Sequence, residues 1–556
     1  MCGIFLYIQQ LLNKNAAARN SEVNAIFEKF NALAHRGPEA SVFKSFLRKE
    51  QDEQINLGFH RLKIIGTKGE FGMQPFYNHS LNTYLLMNGE IYNYQEILNE
   101  LKEKHLIPQK YKIKSDCEII LLLYKFLSIE IIVKKIRGEY AFILLDLNKN
   151  KIFMARDELG IRPLFYNISN TDISISSEYK GIVNTNTTTT CAQVEPATIY
   201  SINLFDYNIV KKQVYYDITS IKSYYKFSYL SLIKQKLINA VQIRLNAERP
   251  LGFLLSGGFD SSLILSIATN LIVNNNMQKL LPINAFSIKY TGENDLTDDN
   301  DDIIHAKSVV KFLNNKYFKI FNKNIIIHDI VLFNKKQGLD AIPEVIYYLE
   351  SWDQTTIRAS TPMFLLVKHI KEKTDIKVLF SGEVADELFF SYLYCNYAPN
   401  ANEFDKECRT LLTNLYHYDV LRADRIISSQ GLEVRVPFSD REFMTEYLST
   451  KLKFRYTPDK IEKYLIREVF KNNYLPENTR LRRKDAFSNS INSNKADWIA
   501  DIKKKCNDEN LSENEYYLNI FKNYNYPLNI IPKYWLPRQD WINTNGESSA
   551  TILSVY

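Results

Sequence analysis

"LGFLLSGGFDSSL" spans residues 251–263, and its reading decides the fold of the larger half of the chain. Leu251 to Leu255 form an apolar run of strand length. Gly257 and Gly258 then permit a tight turn whose successive backbone N–H groups point inward, and Ser256, Ser261 and Ser262 add hydroxyl donors. The run "SSLILSIATNLIV" that follows has helical length and presents its N-terminus to the turn. Such a nest binds phosphate through its amides and the helix dipole. It is not a Walker A loop, because the GxxxxGK[ST] spacing and its lysine are absent. Asp260 is out of place in a simple phosphate cradle, but it makes sense as a ligand that holds Mg2+ against pyrophosphate oxygens. A plain Gly-Ser turn capped by Asp260 and Ser261 is the alternative. A lone SGG would be read that way. The full SGGxDSS after an apolar strand favours the nucleotide.

The neighbouring segments extend the pattern. "INAFSIKY" (283–290), "YFKIF" (317–321) and "IKVLF" (376–380) read as strands, and "HAKSVVKFL" (305–313) as helix. Strands alternating with helices predict a parallel, doubly wound α/β sheet. "FSGEVADE" (380–387) puts Ser381 and Gly382 at a turn, with Glu383, Asp386 and Glu387 close behind. Carboxylates clustered near a triphosphate repel it unless Mg2+ or a basic residue intervenes. Asp386 is a second candidate metal ligand beside Asp260, and Lys484 in "LRRKDAF" (481–487) is a candidate base. Taken alone, the acidic turn reads as a helix cap and RRK as a solvated charge run.

The first two hundred residues read differently, as strands with interspersed helices. "YAFILLDLNKNKIFMAR" (140–156) is a predicted β-hairpin around an NKNK turn, and "NTNTTTT" (184–190) is a polar loop. From 206 to 223 the chain turns polar and Tyr-rich, "DYNIVKKQVYYDITSIKS", and a domain boundary is expected there. The expected domains are 2–215 and 225–556. The polar stretch after about residue 500 is expected to be partly disordered.

Composition narrows the function classes. Apolar residues make up 45% and charged residues 24% of the 556 residues, as in ordinary globular proteins. A net charge of +7 over this length, with no basic stripe or aromatic platform, does not point to nucleic acid. The six cysteines are scattered without a CxxC pair, which argues against zinc sites and a disulfide framework. No signal pattern and no run of eighteen apolar residues occurs, so a cytoplasmic chain with no membrane span is expected.

A second set of motifs stands at the front: "MCGIF" (1–5), "AHRGPE" (34–39), "GFHRLKIIG" (58–66), "MNGEIYN" (87–93) and "KSDCEII" (114–120). Arg61 can grip an α-carboxylate with its fork, and Glu90 and Asp116 can hold an α-ammonium. The Asn88 side chain and the Gly89 N–H are suited to an oxyanion. With the Cys2 thiol, these groups suit an amino acid whose side-chain carbonyl is attacked. Piece by piece, Arg61 also reads as a surface ion pair, NGE as a turn and SDCE as a capping box.

MCGI, HRGP, NGEIYN and SDCE in this order resemble the class II, N-terminal-nucleophile glutamine amidotransferases. SGGFDSS resembles the pyrophosphate loop of the N-type ATP pyrophosphatases. The two joined, with "TTIRASTPMFLL" (355–366), "APNANEF" (398–404) and "GLEVRVPF" (431–438), resemble the glutamine-hydrolysing asparagine synthetases to about residue 490. The resemblance implies an N-terminal αββα nucleophile-hydrolase sandwich followed by a parallel-sheet α/β pyrophosphate-loop domain. It implies that Cys2, freed by removal of Met1, is the glutaminase nucleophile with its own α-amine as base, whose ordinary pKa is about 7.7–8.0. It carries glutamine binding over to Arg61, Leu62, Lys63, Ile64, Ile65, Asn88, Gly89, Glu90 and Asp116. ATP binding falls to Leu254, Ser256, Gly257, Gly258, Asp260, Ser261, Ile288, Ser381, Gly382 and Lys484. Glu383 is the catalytic glutamate around a β-aspartyl-AMP intermediate, and Mg2+ comes with ATP on Asp260 and Asp386. No organic prosthetic group is implied. The implied partners are glutamine, aspartate, ATP and a second copy in a homodimer. Ammonia is mostly ammonium at pH 7, so a sheltered apolar passage is expected, with Arg358 near its end.

Three departures stand out. Glu39 replaces the family's Asp in HRGPD, and Phe259 its Leu. In SGEGSDE and the Phe-Gly-Gly-Tyr run that follows, Val384, Phe390 and Ser391 replace glycines. A valine is strained there if the glycine used positive φ. This leaves open a catalytically impaired homologue with a binding role, or an amidotransferase with an altered acid substrate. β-Lactam synthetase-like proteins share both domains but lack the Cys2 nucleophile.

Overall fold

The computed structural model describes all residues except 12–15, 68, 70, 184–190, 225–228, 293–299, 458, 485–486, 488–490, 493–495, 529–536, 539 and 542–556. The 184–190 loop therefore lies outside the described residues. The chain divides into two compact units, 1–217 with 428–432, and 218–427 with 433–556.

Among the described residues the first unit has twelve strands: β1 (Gly3–Gln10), β2 (Ala40–Arg48), β3 (Glu53–Arg61), β4 (Phe76–Asn78), β5 (Thr83–Ile91), β6 (Gly138–Asp146), β7 (Lys151–Arg156), β8 (Phe165–Ile168), β9 (Asp172–Ser176), β10 (Ala192–Gln193), β11 (Thr198–Asn203) and β12 (Ile209–Val214). They form two six-stranded sheets, ordered β10-β8-β9-β1-β3-β2 and β12-β11-β7-β6-β5-β4, with every pairing antiparallel. Alternation along each strand makes the layers. In β1, Ile4, Leu6 and Ile8 share a buried cluster with Leu86, Ile143 and Met154 of the opposite sheet. Phe5 and Tyr7 point the other way, onto Ile26, Phe30 and Leu33. In β6, Ala141, Ile143 and Leu145 face the first sheet, while Tyr140, Phe142 and Leu144 pack on Ile97, Ile119 and Leu123. A strand covered on both faces needs apolar residues in unbroken sequence, which is why "YAFILLD" does not alternate. The result is an αββα sandwich. The hairpin forms as read, with Asp146 opposite Lys151.

The second unit carries β13 (Leu251–Leu254), β14 (Ile283–Tyr290), β15 (Ile326–Phe333), β16 (Val378–Phe380) and β17 (Glu433–Arg435) in the order β15-β14-β13-β16-β17. All four pairings are parallel. The loops after β13 and β16, adjacent strands, therefore leave the same edge of the sheet.

One sequence expectation fails here. "YFKIF" is not a strand but the last turns of the helix Asp301–Phe321. Asn300 caps that helix through its side chain, its buried residues keep helical spacing from Ile303 to Tyr317, and Asn322 ends it in the left-handed conformation. The strand is Ile326–Phe333. The polar stretch after residue 500 carries the helices Trp498–Asp508 and Glu513–Lys522. Its polarity hid a narrow apolar stripe: Trp498, Ile502, Cys506, Tyr517 and Phe521 are buried. Glu513 there pairs with the buried Arg358, whose Nε and Nη2 donate to its carboxylate at 2.7 and 2.5 Å.

Ile143 sits in the centre of the sandwich. Ile143→Ala should lower the opening free energy of β6, read by amide hydrogen exchange, by roughly 2–5 kcal/mol.

Candidate active sites

In the first unit three segments converge on Cys2. The Cys2 backbone N–H donates to Asn88 Oδ1 at 2.9 Å, and its thiol lies 3.8 Å from the Leu62 carbonyl. Asn88 Nδ2 is buried with no hydrogen-bond partner among the described residues. The side-chain amide that accepts from Cys2 N–H thus keeps its donor unengaged, since only its carbonyl oxygen is used. Gly89 has φ +136°, and a Cβ there would lie 2.0 Å from the Glu139 carbonyl on the paired strand. No other residue fits that approach. With Met1 in place the Cys2 nitrogen is an amide. Its removal would leave an amine at the same position.

The 61–66 loop packs on the 114–116 segment. Arg61 is buried, and its Nη2 donates to the Gly66 carbonyl at 2.8 Å. Lys63 N–H donates to Glu39 Oε2 at 2.6 Å, so the longer Glu39 still serves the loop. Ile64 is buried, and Ile65 packs on the apolar core. Asp116 Oδ2 accepts from Ile91 N–H at 2.7 Å. Burial, then Asp116, Glu90 and Cys2, push the neighbouring Cys117 thiol well up, which places those groups in one neighbourhood. The sequence reading missed Arg36. Its Nε donates to the Cys2 carbonyl at 3.0 Å, and its Nη1 pairs with Glu178 at 2.6 Å, both side chains fully buried. HRGP was visible as a motif, but Glu178 lies 142 residues away.

In the second unit the loops after β13 and β16 open into a cavity of about 530 Å³. Leu254, Ser256, Gly258, Asp260, Ser261, Ile288, Ser381, Gly382, Glu383, Asp386 and Lys484 all line it. Gly257 is not among the lining residues. It turns the chain at φ +79°, where a Cβ would meet the Asp302 carbonyl at 2.1 Å. Ser256 and Ser261 bond each other through their hydroxyls at 3.1 Å and fix the loop against the helix Phe259–Asn274.

The charges of the cavity are paired across the sequence. Arg422 Nη2 donates to both oxygens of Glu383, at 2.8 and 2.9 Å, and pairs with Asp419 at 2.9 Å. Burial nevertheless pushes the Glu383 carboxyl up to about 7, with Arg422 opposing it. Burial also raises Asp260. Asp386 is driven well below the usual carboxylate range, because Lys463 and Lys484 outweigh its burial. Lys463, which no motif announced, places Nζ between Asp260 Oδ2 and Asp386 Oδ1.

Residues for a dication can be tested on this geometry. Asp260 Oδ1 is a buried acceptor with no hydrogen-bond partner among the described residues. No group of three or more His, Cys, Asp or Glu side chains forms a cage among those residues. Two carboxylates fit Mg2+ only if phosphate oxygens complete its shell, as Mg2+ commonly binds.

The replaced glycines do not relax into a negative-φ turn. Val384 has φ +76° and Phe390 φ +50°, at the two ends of the one-turn helix Ala385–Phe389. Left-handed backbone at a β-branched residue costs on the order of 1–3 kcal/mol. Val384 is buried and lines the cavity. Ser391 compensates in part: its hydroxyl donates to Asp386 Oδ1 at 2.6 Å. Phe390 packs edge-on against Phe404, ring centroids 4.6 Å apart.

A carboxyl raised by folding loses stability as pH rises. Its proton is held more tightly in the folded chain, so ionisation through the range from about 4.5 to 7 favours unfolding. Thermal melting of wild type should therefore fall relative to Glu383→Gln as pH rises through that window, and the two should run parallel below it.

Residues 1–231 match the family described as "Glutamine amidotransferase domain", and residues 232–405 and 396–523 match "Asparagine synthase". A probable glutamine-hydrolysing asparagine synthetase of Acanthamoeba polyphaga mimivirus is 37% identical, covering 100% of both chains. The glutamine-hydrolysing asparagine synthetases of Gallus gallus and Homo sapiens are 34% and 33% identical, each covering 94% of both chains. Two matched domains in series and this full-length identity show that the chain belongs to the glutamine-hydrolysing asparagine synthetase family.

Proposed function

We propose that the chain makes asparagine from aspartate, ATP and glutamine, releasing glutamate, AMP and diphosphate. One observation carries the reading best. The cavity in the second unit gathers the SGGFDSS loop, the SGEVADE loop and Lys484 at the carboxyl edge of a parallel sheet. That is where open α/β sheets bind nucleotides.

In the first unit, the Cys2 sulfur attacks the glutamine amide carbon. A C–S bond forms, the C–N bond breaks, and the thiol proton leaves with ammonia. Water then hydrolyses the thioester to glutamate. Asn88 Nδ2 and the Gly89 N–H receive the developing oxyanion, Arg61 takes the α-carboxylate, and Glu90 with Asp116 takes the α-ammonium. Leu62 to Ile65 form the wall of that pocket. Arg36 positions Cys2 through its carbonyl.

In the second unit, the aspartate β-carboxylate attacks the α-phosphorus of ATP and diphosphate leaves. Ammonia then attacks the acyl carbon and AMP leaves. Leu254, Ile288, Ser381 and Gly382 hold the nucleoside end, and Ser256, Gly258, Ser261 and Lys484 the phosphates. Gly257 serves by turning the chain. Asp260 and Asp386 would hold Mg2+, which when bound neutralises phosphate charge. Glu383, near 7 and fixed by Arg422, can carry either charge state near neutrality and stands beside the reacting centre. The homodimer and the cytoplasmic location belong to the same proposal. Among the described residues, no helix is long and apolar enough to cross a membrane.

The test is product analysis with Mg-ATP, aspartate and either glutamine or ammonium. Wild type should form asparagine and AMP from both nitrogen sources. Cys2→Ala should lose only the glutamine-dependent reaction. A Cys2→Ala protein that still uses glutamine would overturn the assignment, and failure with ammonium would point to the Val384–Ser391 departures. Asn88→Ala should lower glutaminase kcat by about 100–1,000-fold and leave ammonium-dependent synthesis in place.

A further inference from the structure

We propose that Lys463 is an internal counter-ion that excludes a divalent metal from the Asp260–Asp386 pair until nucleotide arrives. This rests on reading the cavity as the Mg-ATP site.

The side chain of Lys463 is 2% exposed, and its ammonium bridges one oxygen of each aspartate. It is aimed there by its backbone, which is left-handed at φ +62° immediately before the helix Tyr464–Val469. The remaining partners of Asp386 are also fixed: Lys484 Nζ on Oδ2 and the Ser391 hydroxyl on Oδ1. Of the four carboxylate oxygens, only Asp260 Oδ1 lacks a hydrogen-bond partner among the described residues.

The charge count explains the consequence. Asp260 and Asp386 bring two negative charges, and Lys463 and Lys484 two positive ones. Beside them, Arg422 is shared by Glu383 and Asp419, and Glu387 accepts from the Tyr392 hydroxyl. The two aspartates and two lysines are thus balanced before any ligand binds. A dication entering alone would add two uncompensated charges to a half-buried site and would have to displace an ammonium from both carboxylates. A triphosphate reverses the balance. It supplies the missing anionic oxygens and gives the lysine, a compact charge on a flexible stem, somewhere to turn. Metal binding then depends on nucleotide, and the aspartates do not collect stray divalent cations in its absence.

The probe is Mn2+, with free Mn2+ followed by its EPR signal. The full-length proteins are wild type, Lys463→Met, Lys463→Arg and Lys463→Met/Asp260→Asn, each with and without a non-hydrolysable ATP analogue. Wild type should bind Mn2+ tightly only with the analogue. Lys463→Met should tighten nucleotide-free Mn2+ binding at least tenfold, and Mn2+ should raise its melting temperature more than that of wild type. Lys463→Arg should stay weak, and the double variant should lose the gain. Equal nucleotide-free Mn2+ affinity in wild type and Lys463→Met would overturn the inference, as would a gain that survives Asp260→Asn. Absence of Mn2+ binding with the analogue in wild type would instead refute the Mg-ATP reading beneath it.

Discussion

Charge compensation inside a buried cavity is the constraint on which the second unit depends. Asp260, Glu383, Asp386, Glu387 and Asp419 line one space, and carboxylates so placed cannot all ionise unless cations are built in beside them. The cations come from elsewhere in the chain: Arg422 from the helix Asp419–Ser429, Lys463 from a left-handed corner and Lys484 from the segment after Arg480. Arg422 is shared by Glu383 and Asp419, Lys463 bridges Asp260 and Asp386, and Lys484 holds Asp386 again, which is why neighbouring acids differ so widely. Asp386, held by two lysines, stays ionised. Glu383, half-buried with one shared arginine, has its carboxyl pushed up to about 7.

The same loop carries the chain's main departures from its family. Val384 and Phe390 hold left-handed backbone where glycine would do so freely. The surrounding packing must over-determine that geometry for it to persist. Phe390 is seated among Tyr394, Phe404 and Trp541, and the Ser391 hydroxyl is bonded to Asp386. The carboxylates of the cavity keep their cation partners, which favours a working site over a decayed one.

The first unit solves a different problem, that of presenting a thiol at a strand end. Cys2 directly precedes β1, whose alternate residues are committed to the two packed layers. The strand therefore cannot shift register without exposing its core face. Arg36 and Asn88 hold the Cys2 carbonyl and nitrogen from two other segments. Cys2 is thus positioned largely through its backbone.

How much was legible in the sequence follows from the range of each interaction. Local turn chemistry and unbroken apolar strands were enough for the two layer types, for the tight turn between β13 and its helix, and for the ordered motifs around Cys2, Asn88 and Asp116. Local signals failed where a helix outran its apparent end at "YFKIF", and they left the one-sided stripe of the polar tail unread. The pairings of Arg36 with Glu178, Arg422 with Glu383, Arg358 with Glu513 and Lys463 with two aspartates join residues far apart in the chain. Such pairs leave no periodicity or spacing to read. The sequence by itself determined which chemistry each half can carry, because motifs encode backbone shape and functional groups within a few residues. Only the tertiary structure decided which charges neutralise one another, because that depends on where separate strands and helices end in space.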